Sequence, residues 1–99
     1  MPEGVTTALV DGGDRACGEL LLVLRERIAT LRVGSRLRLV ATDPAAVIDL
    51  PAWCHLTGHR YLGAGLEPDG RPHYILEVMP TARATAPTNP WTLEPVSRL

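Results

Sequence analysis

Cys17 lies two residues after Arg15 and just ahead of the apolar run Leu20-Leu21-Leu22-Val23-Leu24, and it is the side chain best placed for covalent chemistry. If that run is helical, Cys17 falls at the N-cap or in the first turn, where unpaired backbone N–H groups and the positive end of the helix dipole favour an anion. A thiolate is such an anion, and it is the reactive form of cysteine. A thiol of ordinary pKa is only about 3% thiolate at pH 7, and a helix terminus raises that to about 10%. Arg15 adds to this if it folds back over the sulfur. The opposing reading makes Cys17 a small apolar residue closing a core, because free cysteine is among the residue types most often buried.

Cys54, His55 and His59, with His73 further on, invite a metal reading, since two histidines four apart on a helix share a face. Gly58 reads as a helix stop, however, and a stop there turns His59 away from that face. The simpler reading packs Trp53 and Cys54 into the helix and leaves the histidines solvated, so no metal and no cofactor are expected. Asp43 and Asp49 each precede a proline and read as helix caps rather than as an acid/base pair. Ser35, Ser97 and the histidines form no hydrolase elbow, and Gly12-Gly13 lacks the lysine and spacing of a phosphate loop. Cys17 and Cys54 are not spaced as a redox pair, and a structural disulfide between them has little use in a reducing compartment.

The elements that must position these groups follow from periodicity. Residues 5–10 read as a strand, and Asp11-Gly12-Gly13-Asp14 as a tight loop that delivers the chain to Cys17. Leu20, Leu21, Leu24, Ile28 and Leu31 gather on one face of a helix spanning 20–31, with Gly34 as its stop. Residues 36–41 form a second strand. Asp43-Pro44 then starts a short helical turn over 44–47, and because Pro51 does not sit deep in a continuous helix, a separate helix is expected from 50 to 58. Residues 61–66 and 73–79 pair as an antiparallel hairpin across Glu67-Pro68-Asp69-Gly70. From residue 80 to 99 four prolines alternate with small polar residues, so a flexible tail is expected after a domain spanning 1–79; Trp91, Leu93 and Val96 are among its few sizeable apolar groups.

Strand, helix, strand, helix, strand, strand is the order of an α+β fold, a two-layer α/β sandwich with two helices on one face of a mixed four-stranded sheet. The first helix is a parallel crossover, which puts Cys17 at the carboxyl end of the first strand, the edge where open α/β sheets place functional groups. Ninety-nine residues with 45% hydrophobic and 21% charged content suit one soluble domain. No apolar run is long enough to span a bilayer, and the first residues lack the pattern of a secretory signal, so a cytoplasmic setting is expected. All ten basic residues are arginines, dispersed in a chain of net charge −1, which argues against direct nucleic-acid binding.

Taken together, Asp14-Arg15-Ala16-Cys17 before a leucine-rich helix, Gly34, Ala41-Thr42-Asp43-Pro44, Asp49-Leu50-Pro51-Ala52-Trp53-Cys54 and Thr57-Gly58-His59 resemble the TusA/SirA family of small sulfur-carrier proteins. The resemblance covers residues 5–79 and implies a βαβαββ sandwich like the C-terminal domain of a bacterial translation initiation factor. It further implies a persulfide relay: Cys17 takes sulfur from a donor protein, such as a cysteine desulfurase or rhodanese, and hands it to an acceptor protein. Arg15, Gly18 and Glu19 would flank the bound sulfur. The family's Cys-Pro-x-Pro motif reads Cys17-Gly18-Glu19-Leu20 here, without either proline, and Gly18 leaves the helix start looser by about 1 kcal/mol. Glu19 stabilises the helix start while opposing a neighbouring thiolate. An alternative stays open, a non-catalytic binding or regulatory module with a degenerate sulfur site that docks a partner through a helix face or the Trp91 segment.

Overall fold

In the computed structural model, which describes residues 7–94, alternating burial defines the strands. β1 (Thr7–Asp11) buries Ala8 and Val10 and exposes Thr7, Leu9 and Asp11, the period-two pattern of a sheet with one covered face. β2 (Arg36–Val40) buries Leu37 and Leu39 in the same way. β3 (Arg60–Leu66) and β4 (Pro72–Glu77) form the expected antiparallel pair, with Tyr74 and Leu76 on the covered face. The sheet order is β1-β2-β4-β3, with β1 and β2 parallel and the remaining pairs antiparallel. The expected α+β sandwich is therefore the observed fold. The first strand's residues 5 and 6 lie outside the described residues.

α1 (Cys17–Ile28) and α2 (Ala46–Thr57) supply the other half of the core. Leu20, Leu21 and Leu24 from α1 are fully buried against Leu37, Leu39, Leu50, Trp53 and Leu76, and each such leucine contributes about 1.5–3 kcal/mol. α1 begins and ends earlier than the span 20–31 expected from its apolar stripe. Its last turn tightens, with the N–H groups of Thr30 and Leu31 donating to Arg27 O and Ile28 O, each at 3.0 Å. Leu31 still packs on the core beyond the helix end, which is why the stripe outlasts the helix.

α2 corrects the sequence reading more substantially, because it is one continuous helix with Pro51 inside it. Ala46, Leu50, Trp53, Cys54 and Thr57 form a buried stripe at helical spacing, and its packing outweighs the hydrogen bond that Pro51 does not make. The carbonyl deprived of that partner belongs to Val47, a residue 55% exposed. Asp43 does cap the turn that leads in, its Oδ1 accepting the Ala45 N–H at 2.8 Å. Asp49 is not a second cap, since it lies in the first turn with its own N–H donating to Ala45 O at 2.9 Å. Gly58 ends α2 with φ +96°, its N–H donating to Cys54 O at 2.8 Å.

Where flexible chain was expected after residue 79, the structure forms a two-stranded ribbon, β5 (Thr85–Ala86) and β6 (Asn89–Leu93), which lies against both helices. Trp53 Nε1 donates to Pro90 O at 2.9 Å, Arg25 Nε to Thr85 O at 2.6 Å, and the Arg83 N–H to Thr57 O at 2.8 Å. A buried indole N–H needs an acceptor, and here the ribbon's main chain provides it. Trp91 remains 42% exposed, and Val96 and Ser97 lie outside the described residues. Among the described residues no helix is long and apolar enough to cross a membrane.

Candidate functional site around the start of the first helix

β1, β2 and β3 run the same way, so their carboxyl ends share one edge of the sheet, and the N-termini of α1 and α2 lie at that edge because each helix follows one of these strands. The 11–16 loop that carries the chain from β1 to Cys17 is pinned along its length. The Gly12 N–H donates to Val40 O at 2.7 Å, and the Gly13 N–H to Asp11 Oδ1 at 3.0 Å. The Thr42 hydroxyl stands 2.8 Å from Asp14 Oδ1 and 3.2 Å from Gly13 O, and the Thr42 N–H also donates to Gly13 O. Two glycines make this path possible. Gly13 has φ +58°, and a Cβ on Gly12 would collide with the Leu20 side chain and stand 2.9 Å from Val40 O.

Cys17 is the first residue of α1. Its N-cap is Ala16, in extended conformation and with no capping side-chain hydrogen bond among the described residues, and the first internal bond of the helix runs from the Leu20 N–H to Ala16 O at 2.9 Å. A helix start presents N–H donors and a partial positive charge to whatever anion lies there. Arg15 does fold back, but onto the loop, with Nη1 donating to Gly12 O at 3.1 Å. Glu19 is exposed in the first turn. Gly18 is exposed too, and a Cβ there would meet nothing within 4 Å.

The other candidate groups are dispersed. Cys54 is a free thiol, 1% exposed, so there is no bond to Cys17, and burial pushes its pKa up to about 12. His59 stacks on Trp53 with ring centroids 5.9 Å apart, and its Nδ1 accepts the Met79 N–H at 3.2 Å. His73 lies over Gly65 with Nδ1 2.8 Å from Glu67 Oε2, while His55 is exposed on α2. Among the described residues no three His, Cys, Asp or Glu side chains are grouped to hold a metal ion.

Sequence reasoning missed Thr42 and Gly12 as parts of the site. Both stood in segments it singled out, but the clamp joins positions 28 and 29 residues apart, which local pattern does not register. It also missed a concavity of about 440 Å³ that adjoins the same edge, lined by Thr42, Asp43, Val47, Leu66 and Tyr74 among others. Val47 and Leu66 are 55% and 70% exposed, and Ile48, next along α2, is 72% exposed.

Comparison with known proteins places this geometry in context. Residues 9–77 match the family described as Sulfurtransferase TusA. The chain is 33% identical over 69 residues to YrkF of Bacillus subtilis strain 168, provisionally described as a sulfur carrier protein, an alignment covering 70% of this chain and 37% of YrkF. It is 31% identical over 62 residues to Sulfur carrier protein TusA of Pseudomonas putida strain F1, covering 63% of this chain and 78% of that protein. A third relative, Sulfur carrier protein TusA of Pseudomonas entomophila strain L48, is 32% identical over 63 residues. The family match takes in the pinned loop, Cys17, both helices and all of the four-stranded sheet but Thr7 and Ala8, and stops short of the ribbon.

Proposed function

Since the chain belongs to the Sulfurtransferase TusA family, we propose that it is a sulfur carrier in which Cys17 relays persulfide sulfur between a donor protein and an acceptor protein. In the loading step the Cys17 thiolate attacks the outer sulfur of a donor persulfide. A new S–S bond forms at Cys17 as the donor's S–S bond breaks, and the donor cysteine leaves as a thiolate. Delivery repeats the exchange with an acceptor thiolate attacking the outer sulfur, so no external oxidant or reductant is consumed. A cysteine desulfurase or a rhodanese has the chemistry of such a donor, and a reducing, cytoplasmic setting keeps the thiols available.

The observation that carries this reading is the position of Cys17 as the first residue of a helix that starts at the open sheet edge, inside the family match. A persulfide is more acidic than a thiol, so the same N–H groups hold the loaded form as an anion. The exposed Val47, Ile48 and Leu66 at that edge give a partner protein an apolar surface to press on. The departures from the Cys-Pro-x-Pro pattern leave the nucleophile in place: Leu20 is fully buried against bare Gly12, and Gly18 makes no steric demand.

Incubating the protein with a cysteine desulfurase and cysteine, then weighing it intact, tests the proposal. Wild type gains one sulfur atom and Cys17→Ser gains none. Absence of added sulfur on wild type, or equal addition to the variant, contradicts it.

A further inference from the structure

A cavity of about 230 Å³ lies where the last turns of α1, the α2–β3 junction and the 78–85 segment meet. It is far from Cys17, because α1, whose first residue is Cys17, is about 17 Å long and lends the cavity only its last turn, Arg25 and Ile28, with Ala29 just beyond. Ile28, Val78, Met79 and Ala82 make its walls apolar, and the stacked rings of Trp53 and His59 add a flat side.

The polar side chains on this lining can all donate a hydrogen bond. Thr85 is 0% exposed, and its hydroxyl has no hydrogen-bond partner among the described residues. Such a group is costly to bury unless something pairs with it. His59 uses Nδ1 to accept the Met79 N–H, so the neutral ring carries its proton on Nε2 and has only a donor to offer. Burial lowers the His59 pKa, which keeps the ring neutral. Arg83 stands exposed at the rim and donates through Nη2 to Glu94 O, and among the described residues it has no carboxylate within ion-pair distance. Arg25, by contrast, is spent on Glu26, Glu94 and Thr85 O.

Apolar walls with unspent donors and one unneutralised cation fit an amphiphilic anion. We propose that this cavity binds a small monocarboxylate with a flat apolar body, its carboxylate taken by Arg83 and the Thr85 hydroxyl and its body lying along Trp53 and Met79. A cavity of about 150 Å³ is enough for benzene, so the larger space here admits an aromatic ring carrying a carboxylate arm. Met79, Ala82, Arg83 and Thr85 lie beyond the family match, whereas Ile28, Trp53 and His59 lie within it.

Titration of the ¹⁵N-labelled full chain tests this, with phenylacetate as probe, 2-phenylethanol as the uncharged body and acetate as the bare head group. Phenylacetate produces saturable amide shifts at residues 28, 29, 79 and 81–85, while 2-phenylethanol binds about tenfold more weakly and acetate does not bind. Thr85→Val, which keeps the shape and removes the hydroxyl, and Arg83→Gln, at the exposed rim, each weaken phenylacetate while the remaining spectrum stays native. The absence of saturable shifts overturns the proposal, and so does equal binding of phenylacetate and 2-phenylethanol, or wild-type affinity in both variants.

Discussion

The two cysteines of this chain hold different positions in its helices. Cys17 is the first residue of α1, after the N-cap Ala16, whereas Cys54 lies in the α2 stripe, where burial pushes its thiol up to about 12. Thiol titration of the native protein near pH 8 is therefore expected to show one fast-reacting group, lost in Cys17→Ser, with Cys54 reacting only after denaturation. Two fast groups, or a fast group retained in Cys17→Ser, contradict that assignment. The Cys54 shift also has a consequence for stability. Its folded pKa lies above the unfolded value of about 8.5, so its contribution is fully present below that pH and is lost as pH rises toward 12. Urea midpoints measured between pH 8 and 10.5 are expected to fall in wild type and to fall less in Cys54→Ala.

At the scale of elements, the 11–16 loop and the start of α1 depend on two glycines that behave differently. Gly12→Ala drives a methyl group into Leu20 and Val40 O and is expected to cost about 1–3 kcal/mol or more in a urea melt. Gly18→Ala adds a Cβ in open space within a helix and is expected to stabilise by up to about 1 kcal/mol. Equal midpoints for the two variants contradict the packing described for this loop. Most of this architecture was legible in the chain. Alternation in 36–40 and 73–77 located the covered face, Gly58 marked the end of α2, and the placement of Cys17 at a helix start followed from the leucine run behind it. The break expected at Pro51 was not observed, because a local rule about one missing N–H was weighed without the five buried residues that hold α2 on the sheet. Thr42 stood only in the Ala41-Thr42-Asp43-Pro44 segment of the resemblance, and its grip on Gly13 and Asp14 was hidden by distance along the chain.

Across the whole molecule, the sheet, the helix pair and the ribbon form three successive layers, and the third escaped the sequence for a definite reason. Counting apolar residues after position 79 finds few, but the ribbon is held by donors from elsewhere, Trp53 Nε1 to Pro90 O and Arg25 Nε to Thr85 O, neither of which its own composition reveals. Trp53→Phe removes the first of these and is expected to cost about 1–3 kcal/mol, with amide exchange rising in 85–93 while β2 and β4 keep their protection. Uniform loss of protection would show instead that the ribbon and the sheet open together. The ribbon lies against the helices and outside the family match, while Cys17 lies at the sheet edge inside it, so sulfur loading and ribbon anchoring are expected to be separable. The most direct test of the account locates the sulfur itself. After loading with a cysteine desulfurase and cysteine and trapping with an alkylating agent, trypsin releases Cys17 in the peptide 16–25 and Cys54 in the peptide 39–60, because arginines flank both. Cys17 as the carrier predicts trapped sulfur in peptide 16–25 alone; sulfur in peptide 39–60, or in neither, contradicts it.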